Sequence, residues 1–161
     1  MKGTPIRTDQ GYIHIEKINP DIHTIRNKPI VGITQSVYAS DKYLICFEKD
    51  SLGNNIPSER TVMSMNHKVF YKGNMKKAKE FVGKVENVKQ IDYKGEILYN
   101  VLMEEHDKMM VNNLICETLD PISDIAKIYK NCKKLSQTKK NELIKWYNNE
   151  YKKKNKKSFQ N

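Results

Sequence analysis

Ser64-Met65-Asn66-His67 is the most informative segment of this 161-residue sequence. It closes the alternating apolar run of residues 60–65 and precedes a second apolar run, KVFY, at residues 68–71. Such alternation is typical of β-strands. A hydroxyl residue three positions before a histidine, at the end of a strand, allows both side chains to reach one carbonyl or amide. This pair can support peptide-bond chemistry if a nucleophile lies nearby.

Short alternating segments separated by turn residues continue through residues 4–117. A hairpin is predicted near the amino terminus, where Asp9-Gln10-Gly11 separates two alternating runs and Gly11 is free to adopt a positive φ. Further strands are predicted over residues 29–36, 42–48 and 60–65. Short strands at this spacing favour a sandwich or a closed, barrel-like structure, so we predict a mostly β fold.

Two short helices are predicted within or directly after the β region. The first covers residues 75–82, and its apolar face consists of Met75, Ala78 and Val82. The second follows the Asp-Pro pair at residues 120–121 and would pack on the β structure from outside. Its apolar stripe consists of Ile122, Ile125 and Tyr129.

The carboxy-terminal segment is predicted to be a basic helix that begins after the capping residue Ser136. Its apolar residues at helical intervals are Leu143, Ile144, Tyr147 and Tyr151, with Trp146 alongside. We expect the helix to end before the lysine run of residues 152–157, which is typical of a solvated, partly disordered chain end. Three regions follow from these patterns: a β domain over 1–119, a packing helix and linker over 120–135, and a lysine-rich tail over 136–161.

The positive charge is concentrated in this tail. Residues 133–161 contain ten lysines and two glutamates, which is +8 of the formal net charge of +10. The remaining +2 leaves the body nearly neutral, so the charge gives no reason to assign nucleic-acid binding to the folded domain.

The cysteines indicate neither a metal site nor a cofactor. Cys46 and Cys116 lie within apolar, strand-like runs, as reduced and buried cysteines of intracellular proteins do. A zinc site that combines them with His67 and His106 can be drawn. Structural zinc sites normally show paired ligands at short spacing, however, and this sequence lacks such pairs. We therefore predict no metal and no cofactor.

No segment of the sequence is predicted to span a membrane, and docking of the tail's apolar stripe on a partner or on anionic lipid remains a third interpretation of the tail. The amino-terminal residues MKGTP lack the apolar run of a signal peptide, and no later segment is long enough to span a bilayer. We expect a cytoplasmic or other intracellular location.

Four segments together resemble the Hint domain, the self-processing domain that hedgehog proteins and inteins share, in the form found in large DNA viruses of eukaryotes. These segments are GTPI at 3–6, SMNH at 64–67 before KVFY, residues 75–81 and residues 98–114. The resemblance implies a compact, Hint-like β fold and a viral protein that acts inside its host cell.

The resemblance also implies a reaction site. The Hint family has a serine or threonine three residues before a histidine, and Ser64 and His67 match these two positions. A later tract of the family has an aromatic residue, an acidic residue, a histidine and a hairpin turn in that order. The matching residues here are Tyr99, Glu104, His106 and the turn VNN at 111–113. His106 is the weaker of the implied catalytic residues. Asn113 stands in place of a glycine, and asparagine tolerates a left-handed conformation.

Two parts of the family pattern are missing. Family members place a nucleophilic cysteine or serine just before the Gly-Thr pair, whereas Met1 and Lys2 precede Gly3 here. Splicing inteins also end on a His-Asn pair, whereas this chain reads CET at 116–118. The resemblance therefore implies an N–S acyl shift and cleavage of an upstream segment of the precursor only if a cysteine is supplied before Gly3. Without that cysteine we expect the domain to be inactive.

The same residues allow other interpretations. Ser64 and His67 can satisfy backbone groups at a strand end, and His106 can be an exposed histidine near carboxylates. The tail, residues 136–161, suggests a non-catalytic β-rich binding module, because lysines interleaved with aromatic residues can contact phosphates and bases. The partner would be nucleic acid or an acidic protein. A lysine-rich end that only keeps the protein soluble is the alternative.

Overall fold

Among the described residues, more lie in antiparallel β-strands than in helices, as the sequence predicted. The computed structural model describes residues 1–37, 42–132 and 135–157, and these residues form twelve β-strands and two α-helices. The strands are β1 (Pro5–Thr8), β2 (Gly11–His14), β3 (Thr24–Ile25), β4 (Lys28–Ser36), β5 (Tyr43–Phe47), β6 (Thr61–Ser64), β7 (Lys68–Tyr71), β8 (Asn74–Lys77), β9 (Val88–Asp92), β10 (Leu98–Met103), β11 (Lys108–Val111) and β12 (Leu114–Glu117). The helices are α1 (Asp124–Asn131) and α2 (Gln137–Lys157).

Among the described residues, the strands are arranged in three antiparallel sheets. The largest has the order β2-β1-β11-β12-β7-β8, and the two smaller ones have the orders β10-β4-β3 and β6-β5-β9. In the large sheet Ile6 of β1 pairs with Val111 of β11, and Cys116 of β12 pairs with Val69 of β7. The start of the chain therefore lies in the same sheet as β7 and β12, which are distant from it in sequence.

Two predicted hairpins are confirmed. Gly11 connects β1 and β2 at a φ of 115°, a conformation that residues with a side chain rarely adopt. The turn between β11 and β12 consists of Asn112 and Asn113, with φ values of 46° and 64°. Both values are left-handed, as a two-residue hairpin turn of type I′ requires.

The prediction of a helix over residues 75–82 is wrong. Residues Asn74–Lys77 form β8, which pairs along its length with β7, and Ala78–Phe81 form a short 3₁₀ helix. Lys72 and Gly73 both have positive φ and turn the chain back onto β7. Ala78 and Phe81 are fully buried in the core. Cross-strand pairing and this burial override the helical spacing, as tertiary contacts often do.

The main hydrophobic core is shared by all three sheets. It includes Ile6 from the large sheet, Ile33 from β4 and Phe47 from β5. A second, smaller cluster joins the β structure to the helices, and its buried members are Leu102, Leu119, Ile125, Ala126, Tyr129 and Ile144. Tyr129 lies against Gly32, where a Cβ atom would overlap the tyrosine ring. The helices thus pack on the outside of the β structure, as predicted for α1.

Both helices differ from the sequence prediction at their ends. Ser123 caps α1 by accepting a hydrogen bond from the Ala126 amide (3.3 Å), so the exposed Ile122 precedes the helix and is not part of its apolar stripe. The Tyr147 hydroxyl donates to an Asp124 carboxylate oxygen (2.6 Å) and joins α2 to α1. Helix α2 continues through Lys157 instead of ending before residue 152.

Part of the predicted chain end, residues 158–161, lies outside the described residues. The three-region division of the chain remains a prediction. Neither described helix combines the length and the apolar character of a membrane span.

Candidate functional site

A small cavity of about 50 Å³ contains the predicted pair of Ser64 and His67. Ser64 is the last residue of β6, and His67 directly precedes β7. The turn between the strands is closed by a hydrogen bond from the His67 amide to the Ser64 carbonyl oxygen (3.2 Å). Both side chains line the cavity, so the structure brings together the two residues that the sequence singled out.

The first residues of the chain enter the same cavity, where Met1 and Thr4 form part of the lining. The Thr4 amide donates to the Met1 carbonyl oxygen (3.3 Å), and Gly3 has a φ of 80°. The Gly3 amide donates to a carboxylate oxygen of Glu16 (2.9 Å). This tight turn holds the amino-terminal end of the chain beside His67.

His67 has an environment that favours the neutral imidazole. Burial lowers its pKa below the usual value, and the charges of the Met1 ammonium and of His106 lower it further. The carboxylate of Glu117 acts in the opposite direction and raises this pKa. The imidazole is therefore neutral at pH 7 and can both accept and donate a hydrogen bond.

Cys116 lies on the cavity side of β12 and is completely buried. Burial, together with the nearby charge of Glu117, raises the pKa of its thiol to about 12. Because the thiolate is the reactive form of cysteine, this thiol is a poor nucleophile near neutral pH. The cavity thus contains a histidine and a hydroxyl group, but its own cysteine is held in the unreactive form.

The other side of β12 faces a charged cleft of about 370 Å³. The residues that line it are Arg26, Lys68, Met75, His106, Asp107, Lys108 and Glu117. His106 Nε2 lies 3.3 Å from Glu117 Oε2. Asp107, next to His106, pairs with Arg26 and Lys28 at 2.7 Å each. These ion pairs hold in place the loop that carries His106.

The comparison with protein families identifies the fold. A family model for the Hint domain matches residues 1–123. The chain belongs to the Hint domain family. No curated protein and no solved structure matches it. The match ends at the capping residue of α1, so α2 lies outside it. The viral origin that the sequence suggested remains a prediction.

The residues of segment 98–113 that match the Hint family pattern lie in different parts of the structure. Tyr99 lines the cavity, and burial raises the pKa of its hydroxyl. His106 is not among the cavity-lining residues but contacts Glu117 in the charged cleft. Glu104 is exposed and pairs with Lys130 (3.3 Å) on α1. Of the three, only Tyr99 lies in the cavity with Ser64 and His67.

The hairpin turn of this tract supports the strand that carries Ser64. Asn112 is buried, and its side-chain amide donates to the hydroxyl of Thr61 on β6 (2.9 Å). The Asn112 carbonyl oxygen accepts a hydrogen bond from the Ser58 amide (2.9 Å). These bonds hold β6 against the β11–β12 hairpin and so fix one wall of the cavity.

Sequence reasoning did not assign a role to Glu117. Its Oε1 accepts a hydrogen bond from the Lys68 amide (2.9 Å), and its Oε2 lies 3.4 Å from the Lys68 ammonium. The alternation of residues 114–117 was a usable signal, because it places Cys116 and Glu117 on opposite faces of one strand. What sequence could not show is that β12 pairs with β7, next to His67.

The structure also shows where the four residues considered as zinc ligands lie, which are Cys46, Cys116, His67 and His106. Cys46 is buried on β5, where its thiol donates to Glu48 Oε1 (3.5 Å). Within residues 1–37, 42–132 and 135–157, no three histidine, cysteine, aspartate or glutamate side chains are grouped as metal ligands.

Proposed function

We propose that this Hint domain cleaves the peptide bond between itself and an upstream segment when a cysteine occupies the amino-terminal end of the cavity. One observation carries the proposal: Met1, Ser64 and His67 line one cavity. A nucleophile at Met1, or in residues joined directly before it, would thus be next to a histidine and a hydroxyl group. Met1 and Lys2 themselves supply neither a thiol nor a hydroxyl.

The reaction begins with an N–S acyl shift. The cysteine sulfur attacks the carbonyl carbon of the residue before it, so that a C–S bond forms and the C–N bond breaks. His67 takes up the thiol proton and passes a proton to the departing nitrogen, which leaves as a neutral amine. Ser64 helps to hold the distorted peptide. Nucleophile and carbonyl are neighbours in one chain, which gives the step a high effective molarity.

A second nucleophile completes the cleavage. An added thiol or water attacks the thioester carbonyl, which transfers the upstream segment to that nucleophile and restores the cysteine thiol. Splicing is not part of the proposal, because Glu117 and Thr118 follow Cys116 where splicing members of the family end on a His-Asn pair. The released amine takes the place of the Met1 amine, whose pKa burial lowers.

A cysteine scan tests this proposal. A folded reporter protein is joined upstream, and single cysteines replace Lys2, replace Met1 or occupy each of the two positions directly before Met1. Lys2 directly precedes Gly3 but is exposed and does not line the cavity, so Lys2→Cys tests whether the cavity is required, and the precursor without an added cysteine is the control. We expect dithiothreitol-dependent release of the reporter, followed on denaturing gels, from at least one of the other precursors.

His67 provides the second part of the test. In the active precursor, His67→Gln should slow release by a factor of about 10²–10⁴, the usual range for a lost general acid or base. If no precursor of the scan releases the reporter in the presence of dithiothreitol, the proposal is wrong. Release that is unaffected by His67→Gln would also contradict it.

We also propose a second function, in which the basic tail binds nucleic acid or an acidic partner. It is favoured by the exposure of Trp146, which is 62% exposed on α2 between Lys145 and the lysine run of residues 152–157. An exposed aromatic ring among lysines can stack on a base while the lysines contact phosphates.

The structure determines how the tail can be removed for a test. Ile144 is buried in the second core cluster, so a deletion that starts at residue 136 would damage the fold. A chain that ends at residue 150 keeps Ile144 and loses five lysines. Its affinity for a single-stranded oligonucleotide should fall, with a weaker dependence on salt. Unchanged affinity in the shortened chain and in Trp146→Ala would rule out nucleic-acid binding by the tail.

A further inference from the structure

Glu117 contacts elements on both sides of the site. It is the last residue of β12 and is adjacent to Cys116, which lines the cavity. Its two carboxylate oxygens contact the amide and the ammonium of Lys68, the residue directly after His67, and Oε2 also contacts His106 Nε2 at 3.3 Å. The side chain is only 16% exposed. One carboxylate therefore links the backbone beside His67 to the loop that carries His106.

We infer that Glu117 is a positioning residue of the site, which holds the Lys68 amide at the start of β7, directly after His67, and places a negative charge beside this backbone. The effect on cleavage rests on the proposed function, whereas the effect on His67 does not. Glu117 belongs neither to the Ser-His pair nor to the family pattern of residues 98–113. The inference comes from the pairing of β12 with β7.

The charges around His67 show why this carboxylate matters. The charged groups that influence the imidazole are the Met1 amine at the start of the chain, His106 in the loop before β11 and Glu117 at the end of β12. Cys116 on β12 is uncharged near neutral pH. Burial, the amine and His106 all lower the pKa of His67, and Glu117 opposes them. Glu117 thus keeps the imidazole basic enough to take up a proton and pass it on.

An uncleaved precursor would strengthen the role of Glu117. When a residue precedes Met1, the amine becomes an uncharged amide, and its repulsion of a protonated imidazole is lost. Glu117 and His106 are then the remaining charged neighbours that act on His67 in the described part of the chain. The balance between them sets how easily His67 accepts a proton at the moment of cleavage.

Glu117→Gln separates charge from hydrogen bonding. The amide oxygen of glutamine can still accept the hydrogen bond from Lys68, but it cannot offset the positive charge on a protonated His67. The matched control is Glu104→Gln, which makes the same exchange at a side chain that is 77% exposed and pairs with Lys130. Glu117→Asp keeps the charge and shortens the reach of the carboxylate.

The first measurement needs no cleavage. The imidazole signals of the chain are titrated by NMR, and His67 is assigned with His67→Gln. We expect the pKa of His67 to fall in Glu117→Gln and to be unchanged in Glu104→Gln. If Glu117→Gln does not fold, Glu117→Asp is used, with a smaller fall expected because the carboxylate moves away. A titration of His67 that is the same in the wild type and in the folded Glu117 variant would overturn the inference.

The second measurement uses the active precursor from the cysteine scan. If His67 acts as a general acid, the rate falls as pH rises through its pKa, and Glu117→Gln should move this fall to lower pH. At pH 7 we expect a loss of about tenfold, a part of what a general acid contributes. A uniform loss at every pH would indicate a merely structural role and would contradict the inference. If the titration of His67 shifts but no precursor cleaves, the proposed function fails while the positioning of His67 by Glu117 stands.

Discussion

The cavity and the cleft on the two faces of β12 differ in volume and in the charge of the residues that line them. On one side Cys116 lines a cavity of about 50 Å³, and its buried thiol is uncharged near neutral pH. On the other side Glu117 lines an open cleft of about 370 Å³ with lysine, arginine, aspartate and histidine. Adjacent residues of one strand thus occupy opposite electrostatic environments, because side chains alternate between the faces of a sheet.

His67 lies where these two environments meet. It lines the cavity, yet it is affected by the charges of Glu117 and His106. The cavity lowers the basicity of the imidazole through burial, and the Glu117 carboxylate restores part of it. A proton-transfer group needs a pKa near the working pH, and opposing environments are one way to reach it. The protonation of His67 therefore depends on residues from both faces of β12.

The strongest test of the burial of Cys116 in the cavity is the reactivity of its thiol. With a pKa of about 12, roughly one thiol in 10⁴ is ionised at pH 8, against about one in ten or more for an ordinary cysteine. We expect iodoacetamide to modify Cys116 at least about 10³ times more slowly than the partly exposed Cys132, as measured by peptide mass spectrometry. Similar rates for the two thiols in the folded protein would show that the cavity is open or polar.

The next test removes part of the cavity wall. Ile6 lines the cavity, is 1% exposed and pairs with Val111 across the sheet. We expect Ile6→Ala to lower the free energy of unfolding by about 2–5 kcal/mol, because buried methyl groups are lost and a void remains. Urea denaturation measures this change. The control is Ile22→Ala, at a side chain that is 63% exposed, which should change stability by less than about 0.5 kcal/mol. Equal effects would mean that the cavity wall is not part of the core.

The smallest expected effect concerns the charged cleft. Burial alone would raise the pKa of Asp107, but hydrogen bonds from Lys28 and from the Lys108 amide, with the charges of Arg26 and Lys28, lower it overall. A lowered folded-state pKa means that the carboxylate adds stability at neutral pH, and that this stability is lost as pH falls through the folded-state pKa. We expect Asp107→Asn to cost about 1 kcal/mol at pH 7, since both partner side chains are largely exposed.

The pH dependence distinguishes this effect from a packing defect. The difference in unfolding free energy between the wild type and Asp107→Asn should begin to shrink below about pH 4, the ordinary pKa of an aspartate, and disappear below the lowered pKa of Asp107 in the folded protein. Urea titrations at several pH values measure it. Glu104→Gln removes an ion pair at a far more exposed carboxylate, so it serves as the control with little expected change. A constant difference down to pH 2 would show that the charge of Asp107 does not stabilise the loop.

Local signals in the sequence predicted much of the fold. Gly11 and the Asn112-Asn113 pair require unusual φ values, and both positions are hairpin turns in the structure. The apolar runs predicted as strands correspond to β4, β5 and β6. Burial alternates along β6, whereas consecutive residues of β4 and β5 are buried. The prediction failed at residues 75–82, where helical spacing was present but pairing with β7 decided the outcome. Local patterns do not contain that long-range information.

In the candidate site, too, some features were predictable from the sequence and others depend on long-range pairing. Ser64 and His67 are three residues apart, so their proximity was predictable from the sequence, whereas their catalytic role remains to be tested. Glu117 was not predictable, because it reaches Lys68 only through the register of β12 on β7. His106 matched a sequence order, but only the folded loop places its imidazole on Glu117 and outside the cavity lining.

The sequence by itself determined the mostly β class, the hairpin turns, the concentration of charge in the tail and the Ser-His pair. These features depend on side-chain period, backbone conformation and composition, which are properties of neighbouring residues. Only the tertiary structure decided that Met1 shares a cavity with His67, that the Cys116 thiol is kept protonated and that Glu117 lies behind the site. The reason is physical: burial and electrostatic interaction act through space, between strands whose order in a sheet is not their order in the chain.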